Sequence, residues 1–455
     1  MDKDNNKKNS MDMLNGTIWN KLPKFALPIA ATGILEQLFN ASDIAIVGQF
    51  TGSNSTVSVA AVGANSPIIG LIVNLFIGIA LGSNVIIANS IGKNDVKAVK
   101  KAVHSSIIMA VLGGILVAII GELMVGGLLN MLNVPEDVLD FAKLYIRIYL
   151  IGMPVILLYN FEAAIFRSIG DTKVPLIALA FSGVLNVILN LFFVIVLKMT
   201  VNGVALATVI SNAVSASILF AKLLKTDKII HIELNQLRLD KISVINILKI
   251  GLPAGIQSAV FAIANIVIQA SINSLGTVVI AASSAAFNIE VFAYDVLNSF
   301  SQACTTFVGQ NYGAGNLKRC RRTLFICLIE DAIASASTII LVLFAGRFLL
   351  SLFNSDPQVI EIGYTRLIMI FTAYIFSMLY ELMSGYLRGF GISFVPAILT
   401  VIGVCVVRIV WIYTAFPANR TFKTIMMAYP ISLSVTAVLI FIALIVYRPS
   451  RRMEK

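Results

Sequence analysis

From Leu22 to Tyr447 the chain alternates long apolar stretches with short polar breaks. The stretches run to about 20 to 30 residues, enough at about 1.5 Å of rise per residue to cross a hydrocarbon layer of about 30 Å. The breaks predict twelve helices, near 22–48, 57–90, 99–127, 137–163, 174–198, 201–224, 243–273, 277–308, 321–350, 358–387, 394–416 and 425–447. An all-α polytopic membrane protein follows. Glycines recur inside the stretches (Gly70, Gly78, Gly82, Gly113, Gly114), which suits close helix packing in lipid rather than strands.

Composition agrees. Hydrophobic residues make up 58% and charged residues 13% of the 455, against about 45 to 50% and about 25% in soluble domains. The first apolar stretch is too long for a leader's core and follows a polar, lysine-bearing tail, so residues 1–20 are expected to remain as a disordered cytoplasmic tail. Cys304, Cys320, Cys327 and Cys405 have neither metal-ligand spacing nor a disulfide framework. The net charge of +11 sits in short loops, which speaks for membrane topology and against nucleic acid. Of 34 Lys and Arg, 26 fall in the N-terminal tail, the even-numbered loops and the C-terminal tail, and 8 fall elsewhere. A multi-pass protein of a bacterial-type cell (inner) membrane with both termini in the cytoplasm is expected.

The halves repeat. KFALP (24–28) matches KIGLP (249–253), IGKNDVKAVKK (91–101) matches YGAGNLKRCRR (312–322), and FRSIGDTKVP (166–175) matches LRGFGISFVP (387–396). Residues 21–224 and 243–447 therefore read as two six-helix lobes in parallel repeat, joined by an amphipathic cytoplasmic linker at 225–242 and followed by a tail at 448–455. Such two-lobed repeats favour alternating access with substrate near the membrane midplane.

Over nearly its whole length the chain resembles the multidrug and toxic compound extrusion (MATE) family. The resemblance lies in ALP followed by SDIAIVG, in residues 61–95, and in FRSIGDTKVP, NGVALATVIS and FVGQNYGAGN, in that order. It implies a secondary exporter that exchanges an external proton or sodium ion for an internal organic compound, often cationic. It also implies that Asp43 is the coupling acid of the first helix, with the amide of Asn186 and the hydroxyl of Thr208 beside it. Asn190 stands where many relatives carry aspartate, and Phe261 where the sodium-coupled branch has glutamate. Both departures favour protons over sodium and place coupling in the N-terminal lobe.

The residues themselves lead the same way. Glu36, Asn40 and Asp43 fall on one face of a helix and form a polar stripe that should face the bundle. A carboxylate in that setting holds a proton in one state and releases it when its solvation changes. Asn186 and Asn190, four residues apart, can donate to it or present oxygens to a cation, as can Thr208. The same residues could instead be polar glue between helices, at about 0.6 kcal/mol per hydrogen bond. Pro28 removes a backbone donor and makes its helix a candidate hinge. Glu162, Glu290, Asp295, Glu381, Arg366 and Arg408 are further ionisable groups within helices. Glu290 is the second candidate for handling substrate or protons, and Arg408 is expected to pair with one of these acids.

Nothing suggests an enzyme or a cofactor. His104 and His231 lack companions at useful spacing, and YGAGN lacks the ending of a phosphate-binding loop. The expected partners are an organic substrate, a proton or sodium ion and the bilayer, with the chain acting as a monomer. A flippase for a lipid-linked or polyanionic molecule, which would need a cleft lined with bases, and a non-transporting scaffold are the rival readings.

Overall fold

A computed structural model describes residues 11–131 and 134–452. The described chain is almost wholly helical: α1 (Leu22–Phe50), α2 (Ser55–Gly92), α3 (Val96–Met131), α4 (Glu136–Ile151), α5 (Met153–Ser168), α6 (Lys173–Leu191), α7 (Val201–Lys225), α8 (Lys241–Asn273), α9 (Thr277–Gly313), α10 (Leu317–Ser351), α11 (Pro357–Thr372), α12 (Tyr374–Gly389), α13 (Phe394–Thr400), α14 (Val407–Ala418), α15 (Phe422–Tyr447) and a last turn, α16 (Pro449–Arg452). Among the described residues nine spans are long and apolar enough to cross a membrane, and two bent pairs raise the number to eleven. The 29-residue α1 has the length for a twelfth, but it carries Lys24, Glu36 and Asp43 and is not among those spans.

Two predicted single helices are in fact bent pairs. α4 and α5 meet at 50°, α11 and α12 at 46°. At the first bend Gly152 and Pro154 are the cause: the proline lacks the N–H that would continue α4's ladder. A π-helical turn at Val401–Val406 joins α13 to α14, and another at Phe192–Val196 follows α6. Helix ends follow local chemistry. Asp356 accepts the backbone N–H of Gln358 at 2.8 Å ahead of Pro357, and Gly170 and Gly391 close α5 and α12 at φ of 84° and 82°. Those two glycines hold equivalent places in the repeat. Phe344 and Leu123 are 96% and 82% exposed, which is where lipid replaces protein as the apolar neighbour.

Packing divides the chain into two compact units, one of Ala31–Gly255 with Met11, the other of Asp12–Ala30 with the chain from Ile256 onward. α1 therefore changes unit just after Pro28, and α8 just after Pro253, the matching proline of the repeat. In the first unit α2 and α8 run backbone to backbone: a Cβ on Gly78 would overlap Gly255, and one on Gly82 would overlap Ile247 and Gly251. The linker lies in this unit too. It is mostly irregular, with Ile230 and Ile232 buried against Val99, Val103, Leu219 and Leu223. Glu233 pairs with Lys100, Asp240 pairs with Lys101 at 3.1 Å, and the carbonyl oxygen of Gln236 lies 3.0 Å from His104 Nδ1.

The N-terminal tail differs from expectation. Residues 1–10, like 453–455, lie outside the described residues, but the stretch from Asp12 is docked on the second unit. Met13 and Ile18 are fully buried. Asn311 Nδ2 donates to the Met13 carbonyl at 3.1 Å, and the Arg319 guanidinium donates to the carbonyls of Met13, Asn15 and Gly16 at 3.1, 3.1 and 2.9 Å. Those contacts satisfy backbone oxygens that a free tail would leave to water.

Candidate functional site

Asp43 lies on α1, Asn186 and Asn190 on α6, and Thr208 on α7, and the structure brings all four together. Asp43 is 5% exposed and Asn190 fully buried. Asn190 Nδ2 donates to Asp43 Oδ1 at 2.5 Å and to Asn186 Oδ1 at 3.1 Å. Thr208 Oγ1 lies 3.0 Å from both Asp43 Oδ2 and the carbonyl of Val204, and its single proton serves one of them at a time. Asn186 Nδ2 donates to that hydroxyl at 3.4 Å. Spacing makes this possible: residues four apart on α6 share a face, and α6 packs against α7.

Both carboxylate oxygens thus face a donor, while Asn190 Oδ1 is buried with no donor among the described residues. Amides and hydroxyls of this kind hold a carboxylate when it is charged and release it more readily once it is protonated. Among the described residues no group of three or more His, Cys, Asp or Glu could hold a metal ion. A cation at Asp43 would meet one carboxylate and neutral oxygens.

Only the Asp43 end of the polar stripe reaches this cluster. Asn40 is exposed and Glu36 half-buried, with Tyr149, Tyr159 and Arg167 as its electrostatic neighbours. Glu290 is committed elsewhere. Its two oxygens take Nε and Nη2 of Arg366 at 2.6 and 2.8 Å, while Nη1 of the same guanidinium donates to Ser283 at 2.6 Å. Glu162 is fully buried with both oxygens unpartnered, Asp295 has one oxygen unpartnered, and Glu381 accepts the Tyr294 hydroxyl at 3.1 Å. Arg408, expected to pair with an acid, pairs with none among the described residues: its hydrogen bonds go to Ser432 and Asn265.

Glu330 and Asp331 on α10 were not singled out from the sequence. Both are buried, Glu330 with neither oxygen partnered. Two adjacent acids inside the apolar run FICLIEDAIAS were the signal.

Up to eleven apolar spans among the described residues and a buried carboxylate ringed by neutral polar groups are the parts of a multi-pass membrane transporter rather than an enzyme. The MatE family model matches residues 28–192 and 253–414, and the chain belongs to that family. The probable multidrug resistance protein YoeA of Bacillus subtilis is 24% identical over 439 residues, 93% of each chain. The probable multidrug resistance protein NorM of Thermotoga maritima is 27% identical over 399 residues, 86% of this chain and 84% of that one. A solved structure described as the outward-facing conformation of a multidrug resistance MATE family transporter of the MOP superfamily superposes with a TM-score of 0.89 at 21% identity, covering 97% of this chain and 98% of that one. At that identity the likeness is one of fold.

Proposed function

We propose that the chain is a secondary exporter, exchanging an external proton, or sodium, for a cytoplasmic organic compound by alternating access of its two repeats. The observation that carries this reading is the hydrogen-bonded cluster of Asp43, Asn190, Asn186 and Thr208 inside the membrane-spanning helices. When a proton arrives on Asp43, the bonds from Asn190 and Thr208 lose their charged acceptor. Each falls from about 1.5 to 3 kcal/mol toward about 1 kcal/mol, and the hold of α1 on α6 and α7 loosens. Pro28, beside the point where α1 changes unit, is the residue at which the helix can respond.

Two features support a proton over sodium. Asn190 turns its NH2 rather than its oxygen toward Asp43, and the cluster has a single carboxylate. The distribution of Lys and Arg supports a cell-membrane protein with cytoplasmic termini, and we read the working unit as a monomer. The sequence resemblance suggests multidrug cargo, with cations among it.

The test is ethidium movement in proteoliposomes under imposed pH or sodium gradients, varied separately. Asp43→Asn is expected to abolish gradient-driven movement. A variant that still moves ethidium at the normal rate would remove Asp43 from coupling.

A further inference from the structure

The repeat that relates the halves also relates the Asp43 cluster to a second set of residues. From Lys24 to Lys249 is 225 residues, which sets Glu36, Asn40 and Asp43 against Phe261, Asn265 and Ile268. From Arg167 to Arg388 is 221, and the same step sets Thr208 and Ser211 against Tyr429 and Ser432, and Asn186 against Val407. The π-helical turn at Val401–Val406 fits one extra residue into the second helix. The next residue, Arg408, therefore takes the angular place of Asn186.

The contacts follow that correspondence. Arg408 Nε donates to Ser432 Oγ at 3.0 Å and Nη1 to Asn265 Oδ1 at 3.4 Å. The guanidinium carbon lies 5.2 Å from the Phe261 ring centre and 4.2 Å from that of Tyr429. Counterparts of Glu36, Asn40, Thr208 and Ser211 thus surround it. The charges are inverted: the acid of the first copy has become Ile268, and its amide an arginine.

Arg408 is 2% exposed, and no carboxylate pairs with it among the described residues. The nearby acid Glu290 is taken by Arg366, whose guanidinium lies 5.6 Å from the same Tyr429 ring. A buried cation without a counter-charge is costly in a membrane interior, and a fixed planar fork of donors matches a carboxylate or a phosphate. The carboxylate is the flat one of the two, and Phe261 and Tyr429 are flat walls for it and for the body that carries it.

We propose that the C-terminal half holds a charge-inverted copy of the Asp43 site, in which Arg408 receives a carboxylate group of the exported compound. The assignment rests on the export reading for its purpose, though not for its test. Binding to purified full-length protein in detergent is measured by fluorescence anisotropy with two probes of one shape, rhodamine 110, which bears a free carboxylate, and its methyl ester rhodamine 123. Arg408→Gln is expected to weaken rhodamine 110 by at least tenfold, as loss of a charged hydrogen bond does, and to leave the ester unchanged. Arg408→Lys, which keeps the charge but not the fork, is expected to bind rhodamine 110 with an affinity between those of the native protein and Arg408→Gln, which sets a lost charge apart from a damaged fold. Equal rhodamine 110 affinity in the native protein and Arg408→Gln, or equal loss of both probes, would overturn the assignment. No gradient enters this measurement, so failure of coupling at Asp43 and failure of the Arg408 site give different results.

Discussion

Asn190 joins Asp43 to Asn186 through the two hydrogens of one amide, at 2.5 and 3.1 Å, so a single side chain links α1 to α6. Asn190→Leu would leave Asp43 Oδ1 buried without a donor, at a cost of about 1 to 3 kcal/mol. A lowered midpoint in thermal unfolding of the purified protein is the expected reading. Asn190→Asp places a second carboxylate in the cluster and should make transport respond to sodium. Export by that variant that depends on sodium no more than the native protein's does would count against the cluster as a cation site.

Where α2 crosses α8, side chains have no room. Gly78→Leu is expected to destabilise the protein by about 1 to 3 kcal/mol through overpacking. Gly63→Ala is the control, since a Cβ there meets nothing within 4 Å. Equal thermal stability of the two variants would show that the α2–α8 seam is loose.

The linker's attachment should depend on pH in one direction. The Lys100 ammonium holds the Glu233 carboxyl below its ordinary 4.5, and the Ser243 backbone N–H, with the Ser243 hydroxyl and Lys101, holds Asp240 below 3.8. Carboxyls lowered in the folded state add stability that is whole above those ordinary values and fades as pH falls through the lowered ones. Hydrogen exchange across residues 226–240, corrected for its intrinsic rate, should rise as the pH falls below about pH 4. Lys100→Met should produce the rise at neutral pH.

Arg319 ties down the start of the chain through three backbone carbonyls. Arg319→Ala is expected to free that segment and expose the bond after Lys21 to trypsin, while costing about 1.5 to 3 kcal/mol of stability. Unchanged resistance to trypsin would mean that the burial of Met13 and Ile18 holds the strap without the arginine.

How much of this was legible in the sequence depends on where each interaction's information lies. Asp43 stood out because an acid in an apolar stretch has few destinations, and Asn186, Asn190 and Thr208 were reached through the family resemblance, with the four-residue spacing of the two asparagines setting them on one face. The Arg319 strap was hidden for the opposite reason: its acceptors are backbone carbonyls about 300 residues away, which leave no mark on residue type. Gly152 and Pro154 could have announced the bend between α4 and α5; the bend at Ala373 has no comparable residue. The place of Arg408 was masked by the π-helical turn, because a repeat read letter by letter aligns it with Val187 rather than Asn186.

An arginine in place of an amide changes what the membrane voltage can do. A monovalent cation leaving in exchange for one proton moves no net charge, and the potential adds nothing. A monovalent carboxylate leaving as a proton enters moves two positive equivalents inward, worth about 4.6 kcal/mol at about 100 mV. That is roughly a two-thousandfold concentration ratio, available without any pH difference. By the charge it presents at Arg408, the C-terminal half would then decide whether the exporter runs on acidity or on voltage.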